Sequence, residues 1–182
     1  MEPFEFLYPH GSHSAGVVKA SVIPTKSILG TVSRDKCFKL WQYNGDMKQL
    51  MSFEPNSFDF ANSNICMDMH PLGMQVAIAT KECLKIYYMV EGEMTPAYEN
   101  YNKNFCTALS YSSRGQYLAA GFHLDIWIID PYSFQLIHTV KGSADGVKTL
   151  HWTARDRYLV TLCNNTYFSI TDSWNKFALK VD

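Results

Sequence analysis

Short runs in which apolar and polar residues alternate recur along this chain, each closed by a turn of Gly, Pro, Asp or Ser. The clearest is the stretch from Gly30 to Trp41. It predicts two strands, one through Thr31, Val32 and Ser33 and one through Phe38, Lys39, Leu40 and Trp41, joined by a tight polar turn at Arg34, Asp35 and Lys36. Weaker copies run from Gly73 to Tyr87, from Gly115 to Ile129 and from Arg157 to Ile170. Taking Trp41, Tyr87, Ile129 and Ile170 as equivalent gives a period of about 41 to 46 residues, the spacing of propeller blades.

Each hairpin has a strand ahead of it. Ile65, Met67 and Met69 alternate before His70-Pro71-Leu72-Gly73, and Thr107, Leu109 and Tyr111 before Ser112-Ser113-Arg114-Gly115. Val147, Thr149 and His151 do the same before Ala154-Arg155-Asp156. A fourth strand follows each hairpin, at Lys48 to Phe53, Pro96 to Tyr101, Phe134 to Val140 and Lys176 to Val181. Four antiparallel strands per repeat make one propeller blade, so the chain reads as all-β with about four blades. The repeats fall at approximately 9–53, 61–101, 104–140 and 144–181. Propellers run from about four to eight blades and nothing in the chain marks closure of a ring of four, so the expectation is part of a larger propeller, completed by other blades or by another chain, with a closed four-bladed ring as the alternative.

The first repeat resembles a WD repeat residue by residue. Such a blade is held by a His before the first strand, a Ser or Thr in the second, an Asp in the tight turn and a Trp in the third. His13, Ser33, Asp35 and Trp41 are the residues that this resemblance assigns to the tetrad. A buried hydrogen-bond chain of this kind stabilises only when every member is satisfied. The other repeats have lost it: Ser143 stands where the His belongs in the fourth, and Tyr87, Ile129 and Ile170 replace the Trp.

Composition agrees with a packed β-protein. The chain of 182 residues is 47% hydrophobic with a formal net charge of −1, which excludes a disordered chain and a basic nucleic-acid footprint. No apolar run approaches the roughly 20 residues that span a bilayer, so no membrane insertion is expected. The start, Met1-Glu2-Pro3-Phe4-Glu5-Phe6, is acidic and does not read as a signal peptide. Cys37, Cys66, Cys83, Cys106 and Cys163 form no CxxC pair and read as reduced thiols of a cytoplasmic compartment.

Several segments are more specific than a generic repeat. They are the His70-Pro71-Leu72-Gly73 turn with its apolar strand and Lys81-Glu82-Cys83-Leu84-Lys85-Ile86, then Glu91-Gly92-Glu93-Met94 and Tyr98-Glu99-Asn100-Tyr101. Asp130-Pro131-Tyr132-Ser133-Phe134 leads through Val140-Lys141-Gly142 into Val147-Lys148-Thr149-Leu150-His151-Trp152. This order is similar to the propeller region of cilia- and flagella-associated WD-repeat proteins, across most of Val17 to Asp172. The resemblance implies a non-enzymatic axonemal scaffold near inner dynein arms or the dynein regulatory complex, with those components and tubulin-associated proteins as partners. The coiled coil of that family has no counterpart here, since no sustained heptad occurs. A general cytosolic or nuclear WD-repeat adaptor is the alternative.

Candidate chemistry is sparse. His10 and His13 form an HxxH pair, but Gly11, Ser12 and Ser14 make the segment a loop, and no metal or cofactor site is expected. His123 and Asp125 flank Leu124 without a nucleophile elbow, and read as the turn of a hairpin. Glu82, Glu91, Glu93 and Glu99 fall in turns and read as solvated surface. An enzyme would need His70, Lys81, Glu82 and Arg114 to converge on the central channel. Aromatics near inter-strand connections divide between blade packing and interface anchors: Phe53, Phe58, Phe60, Tyr98, Tyr101, Phe105, Tyr132 and Trp174. The long connection from Glu54 to Asn64, carrying Phe58 and Phe60, is the expected partner-contact loop, with Gly92 to Pro96 a weaker second.

Overall fold

Each alternating run forms a strand, and the strands group in sequence order into antiparallel sheets of four. The computed structural model describes residues 11–54, 65–80, 83–101, 105–142, 146–164 and 168–180. The first sheet holds β1 (Val17–Ile23), β2 (Ile28–Ser33), β3 (Phe38–Gln42) and β4 (Lys48–Phe53). The second holds β5 (Cys66–Met69), β6 (Gln75–Ala79), β7 (Leu84–Val90) and β8 (Glu93–Asn100). The third holds β9 (Cys106–Tyr111), β10 (Leu118–Phe122), β11 (Asp125–Ile129) and β12 (Leu136–Lys141). The fourth holds β13 (Val147–Trp152), β14 (Tyr158–Cys163), β15 (Phe168–Asp172) and β16 (Ala178–Lys180).

Neighbouring sheets meet through their first strands, β1 beside β5, β5 beside β9 and β9 beside β13. This is the radial arrangement of propeller blades. No α-helix occurs among the described residues.

Burial follows from this arrangement. A blade with a neighbour on each side is covered on both faces, so its middle strands carry few polar residues. All of β6 and all of β10 are buried, whereas the outermost strand β12 is exposed except at Val140. Three apolar seams result. Val32 and Phe38 meet Met69, Val76, Ile78 and Tyr87 between the first and second blades. Ala77, Leu84 and Ile86 meet Tyr111, Leu118 and Ile129 in the next seam. Ala119, Ile126 and Ile128 meet Leu150, Leu159 and Phe177 in the last.

The ladders give the equivalence between blades directly. On the wall that each blade turns to the next, Gly30 pairs with Leu40 and Val32 with Phe38. The matching pairs are Ala77 with Ile86 and Ala79 with Leu84, then Ala119 with Ile128 and Gly121 with Ile126. In the fourth blade they are Val160 with Ile170 and Leu162 with Phe168. The third strand shifts register against the fourth at Leu40/Trp41, Ile86/Tyr87 and Ile128/Ile129, one position after the paired residue in each case. Trp41, Tyr87 and Ile129 are therefore equivalent. In the fourth blade the equivalent is Thr171, paired with Leu159 as Trp41 is with Leu29, and not Ile170 as the spacing suggested. A one-residue error flips a side chain to the other face of the sheet, and Ile170 faces away from the preceding blade.

Two glycines permit close approach. A methyl at Gly30 would stand 2.5 Å from the Met69 sulfur of the next blade. Gly115, at φ +71°, carries the turn that lies on His70, and a methyl there would meet Nε2 at 2.2 Å.

Candidate functional site

The loop before β1 brings His13 over the face of the first blade. Its Nδ1 lies 2.9 Å from Asp35 Oδ2, and its Nε2 lies 2.8 Å from Thr31 Oγ1. Trp41 donates its indole N–H to the same Thr31 oxygen at 2.8 Å. With the proton on Nδ1, His13 donates to Asp35 and accepts from Thr31, so the chain runs Trp41 to Thr31 to His13 to Asp35. Asp35 also accepts the backbone N–H groups of Ser14 and Cys37. Burial pushes its carboxyl up, but the hydrogen bonds from Cys37, His13 and Ser14 outweigh that and leave it below the usual carboxylate range.

Ser33, which the sequence placed in this tetrad, is not the link between His13 and Trp41. Its hydroxyl lies 2.9 Å from the Ala15 carbonyl and 3.1 Å from that of Gly16, and it accepts the Asp35 N–H. Ser33 therefore anchors the turn to the loop before β1. Alternation puts residues 31 and 33 on one face of β2, and the ladder decides between them. Trp41 sits opposite Leu29, so Thr31 is its diagonal neighbour and Ser33 is a further two residues away.

The other blades carry different polar links, which the sequence reading missed. Asp68, in the middle of apolar β5, accepts from Ser21 Oγ of the first blade at 2.7 Å and from the Tyr111 N–H of the third at 2.7 Å. One carboxylate thus ties three consecutive innermost strands. Burial raises its pKa despite the bonds from Ser21, Tyr111 and Met69. His70 is fully buried, with Nδ1 accepting the Leu72 N–H and Nε2 directed at the Gly115 carbonyl, 3.1 Å away. Desolvation lowers its pKa, and the bond to Gly115 opposes this. Gln75 donates to the Pro131 carbonyl and accepts from Tyr111. Asp156 receives the N–H groups of Ser113 and Arg114 across the last seam. The signal available in sequence was a polar residue inside an apolar strand, as in Cys66-Met67-Asp68-Met69.

The remaining candidates separate. The His70 ring is enclosed within the seam, whereas Arg114 is exposed on a turn. Lys81 and Glu82 lie outside the described residues. Asp125 pairs with Lys141 at 3.0 Å across β11 and β12. Glu99 pairs with Lys85 at 2.9 Å and accepts from Tyr101, and these bonds hold its carboxyl below the usual range. No group of three or more metal-binding side chains occurs among the described residues, and both ring nitrogens of His13 serve the tetrad. Burial pushes the Cys66 thiol up to about 11 and raises the Cys106 thiol well above its ordinary value, which makes both poor nucleophiles.

The aromatics divide. Phe53 and Tyr98 pack edge-on to Tyr87 and stacked on Phe134, respectively. Tyr101, Phe105, Tyr132 and Trp174 are more than half exposed. Phe58 and Phe60 lie outside the described residues, and with them the expected contact loop.

No protein-family model matches the chain. Over 87% of its length it is 24% identical to cilia- and flagella-associated protein 57 of Mus musculus, and covers 12% of that protein. Over 85% of its length it is 25% identical to cilia- and flagella-associated protein 57 C of Tetrahymena thermophila, again over 12% of the relative. It is also 26% identical, over 71% of its length, to 42% of cross-pathway control WD-repeat protein 2 of Flammulina velutipes. In three dimensions it is similar to the crystal structure of the β-propeller domain of Cps50 (Swd1) from Myceliophteria thermophila. The TM-score is 0.76 at 20% identity, covering 94% of this chain and 56% of that one. The chain thus spans about an eighth of its ciliary relatives and just over half of a solved propeller. Its described residues form four four-stranded β-propeller blades, and the chain is similar along most of its length to part of cilia- and flagella-associated protein 57.

Proposed function

We propose that this chain is a non-enzymatic protein–protein interaction scaffold of the ciliary or flagellar axoneme, near inner dynein arms or the dynein regulatory complex, acting in ciliary motility or assembly. The observation that carries the reading is the similarity to three proteins named cilia- and flagella-associated protein 57, each over more than four-fifths of this chain. The polar groups support it. His13, Asp35, Asp68, His70 and Asp156 are each bound within or between blades, where they serve architecture. The blades form a rigid support, and exposed loops and faces make the contacts with dynein-arm, regulatory-complex or tubulin-associated proteins.

Affinity purification from demembranated axonemes tests this. Dynein-arm or regulatory-complex subunits in stoichiometric yield support the reading, and their absence overturns it. A general cytosolic or nuclear adaptor is the second reading, favoured by the similarity to a cross-pathway control WD-repeat protein. Recovery of ubiquitin-ligase or signalling components without axonemal proteins selects it.

A further inference from the structure

The third and fourth strands of each blade are joined differently. In the second blade a tight turn, Glu91-Gly92, is closed by the Val90–Glu93 pair. In the third, the Asp130 carboxylate accepts from Tyr132 and Ser133 and laces the connection together. In the first blade the connection, residues 43–47, is open. Its base is held by the Gln42–Lys48 pair and by the Tyr43 N–H, which donates to the Ser27 carbonyl at 2.9 Å. Beyond that anchor Asn44, Gly45 and Asp46 are exposed. Among the described residues, neither the Asn44 side chain nor the Gly45 N–H makes a hydrogen bond. A methyl at Gly45, which sits at φ +101°, would meet no atom within 4 Å.

We propose that Asn44 is a site of deamidation and aspartyl isomerisation. The Gly45 backbone nitrogen gives up its proton to solvent base and attacks the Asn44 side-chain carbonyl carbon, Cγ. The new C–N bond closes a succinimide, the Cγ–Nδ2 bond breaks, and Nδ2 leaves as ammonia. Water then opens the succinimide at one carbonyl or the other, giving aspartate or isoaspartate. The neighbour on the C-terminal side controls the attack, because its side chain would stand between the nitrogen and Cγ. Glycine has none, and it lets the backbone turn freely toward the attacking geometry. No other asparagine of the chain precedes a glycine.

The geometry adds what the dipeptide alone does not supply. A tight hairpin would fix the backbone, and a hydrogen bond would hold the amide away from the nitrogen. This turn has neither constraint. The product carries a new carboxylate beside Asp46 on the surface, and the Gln42–Lys48 pair confines the change to the turn. The reaction depends on these residues alone, so it stands or falls apart from the axonemal reading.

Peptide mapping of the full polypeptide, held at pH 8 in water enriched in oxygen-18, tests this. The peptide carrying positions 44 and 45 is expected to gain the mass of an amide-to-acid exchange together with an oxygen-18 atom. Electron-transfer fragmentation should show isoaspartate beside aspartate. The gain should be slower at pH 6, where less of the Gly45 nitrogen is deprotonated. Asn100 is the internal control: it precedes Tyr101 and its Nδ2 donates to the Tyr98 hydroxyl at 2.9 Å, so it should keep its amide. Asn44→Gln, a change at an exposed side chain, should abolish the gain, because glutamine must close a larger ring. An intact amide at position 44 in the folded polypeptide, while the excised segment deamidates, overturns the proposal. So do equal rates at the two pH values, a gain at Asn100 equal to that at Asn44, or aspartate formed without isoaspartate.

Discussion

The indole N–H of Trp41 is bound by Thr31, at 2.8 Å, and not by Ser33. That bond joins the third strand of the first blade to the second and, through His13, to the loop before β1. Trp41→Ala removes a side chain that is 3% exposed and is expected to cost about 3–5 kcal/mol in chemical denaturation. A loss under about 1 kcal/mol, the range of surface substitutions, contradicts the tetrad.

The Thr31 hydroxyl serves two partners, so Thr31→Val is expected to destabilise by about 1–3 kcal/mol. A double-mutant cycle between Thr31 and Trp41 should show a coupling of about 0.5–3 kcal/mol, and a Ser33–Trp41 cycle much less. Equal couplings would restore Ser33 to the tetrad.

The fourth blade should respond with the opposite sign. Thr161 and Thr171 occupy the positions of Thr31 and Trp41 in the ladder. Their buried hydroxyls have no hydrogen-bond partner among the described residues. Thr171→Val keeps the shape and removes the orphan group, so the change is expected to be neutral or stabilising by up to about 1 kcal/mol. Clear destabilisation in thermal unfolding would show that the hydroxyl is bound.

These residues also show what was legible in the sequence. Hairpin positions, strand count and blade period follow from alternation and turn chemistry, and the structure has strands at each predicted run. Alternation assigns a residue to a face, but Thr31 and Ser33 share one, and only the register against Trp41 separates them. The fourth repeat was read one residue early because Ile170 looks like a core residue, while Thr171 holds the inward position. Asp68, His70 and Asp156 were missed as links because each bonds a backbone group in another blade, about 42 to 45 residues away.

Gly115→Ala tests the seam between the second and third blades. The added methyl would meet His70 Nε2 at 2.2 Å, at a φ of +71° that disfavours alanine. Overpacking alone is expected to cost about 1–3 kcal/mol by denaturant unfolding. His70→Ala in the same chain opens space and should recover part of that loss.

The same histidine sets a pH dependence. Burial lowers its folded pKa, so the unfolded chain binds the proton more readily. Its contribution is fully present above the unfolded value of about 6.5 and is lost as pH falls from there to the folded value. Asp35, held below the carboxylate range, adds a second loss at more acid pH, while Asp68, raised by burial, acts in the opposite sense. Denaturant midpoints from pH 8 to pH 5 should fall in the parent chain, and fall less in His70→Phe. Parallel curves would remove His70 from this role.

The most direct measurement is the amount of this polypeptide in axonemes isolated from ciliated cells after detergent extraction, quantified against the soluble cell body. Retention in the axoneme at a fixed ratio to dynein-arm or regulatory-complex subunits is the result expected of an axonemal scaffold built on these blades. Recovery only in the soluble cell body would contradict it.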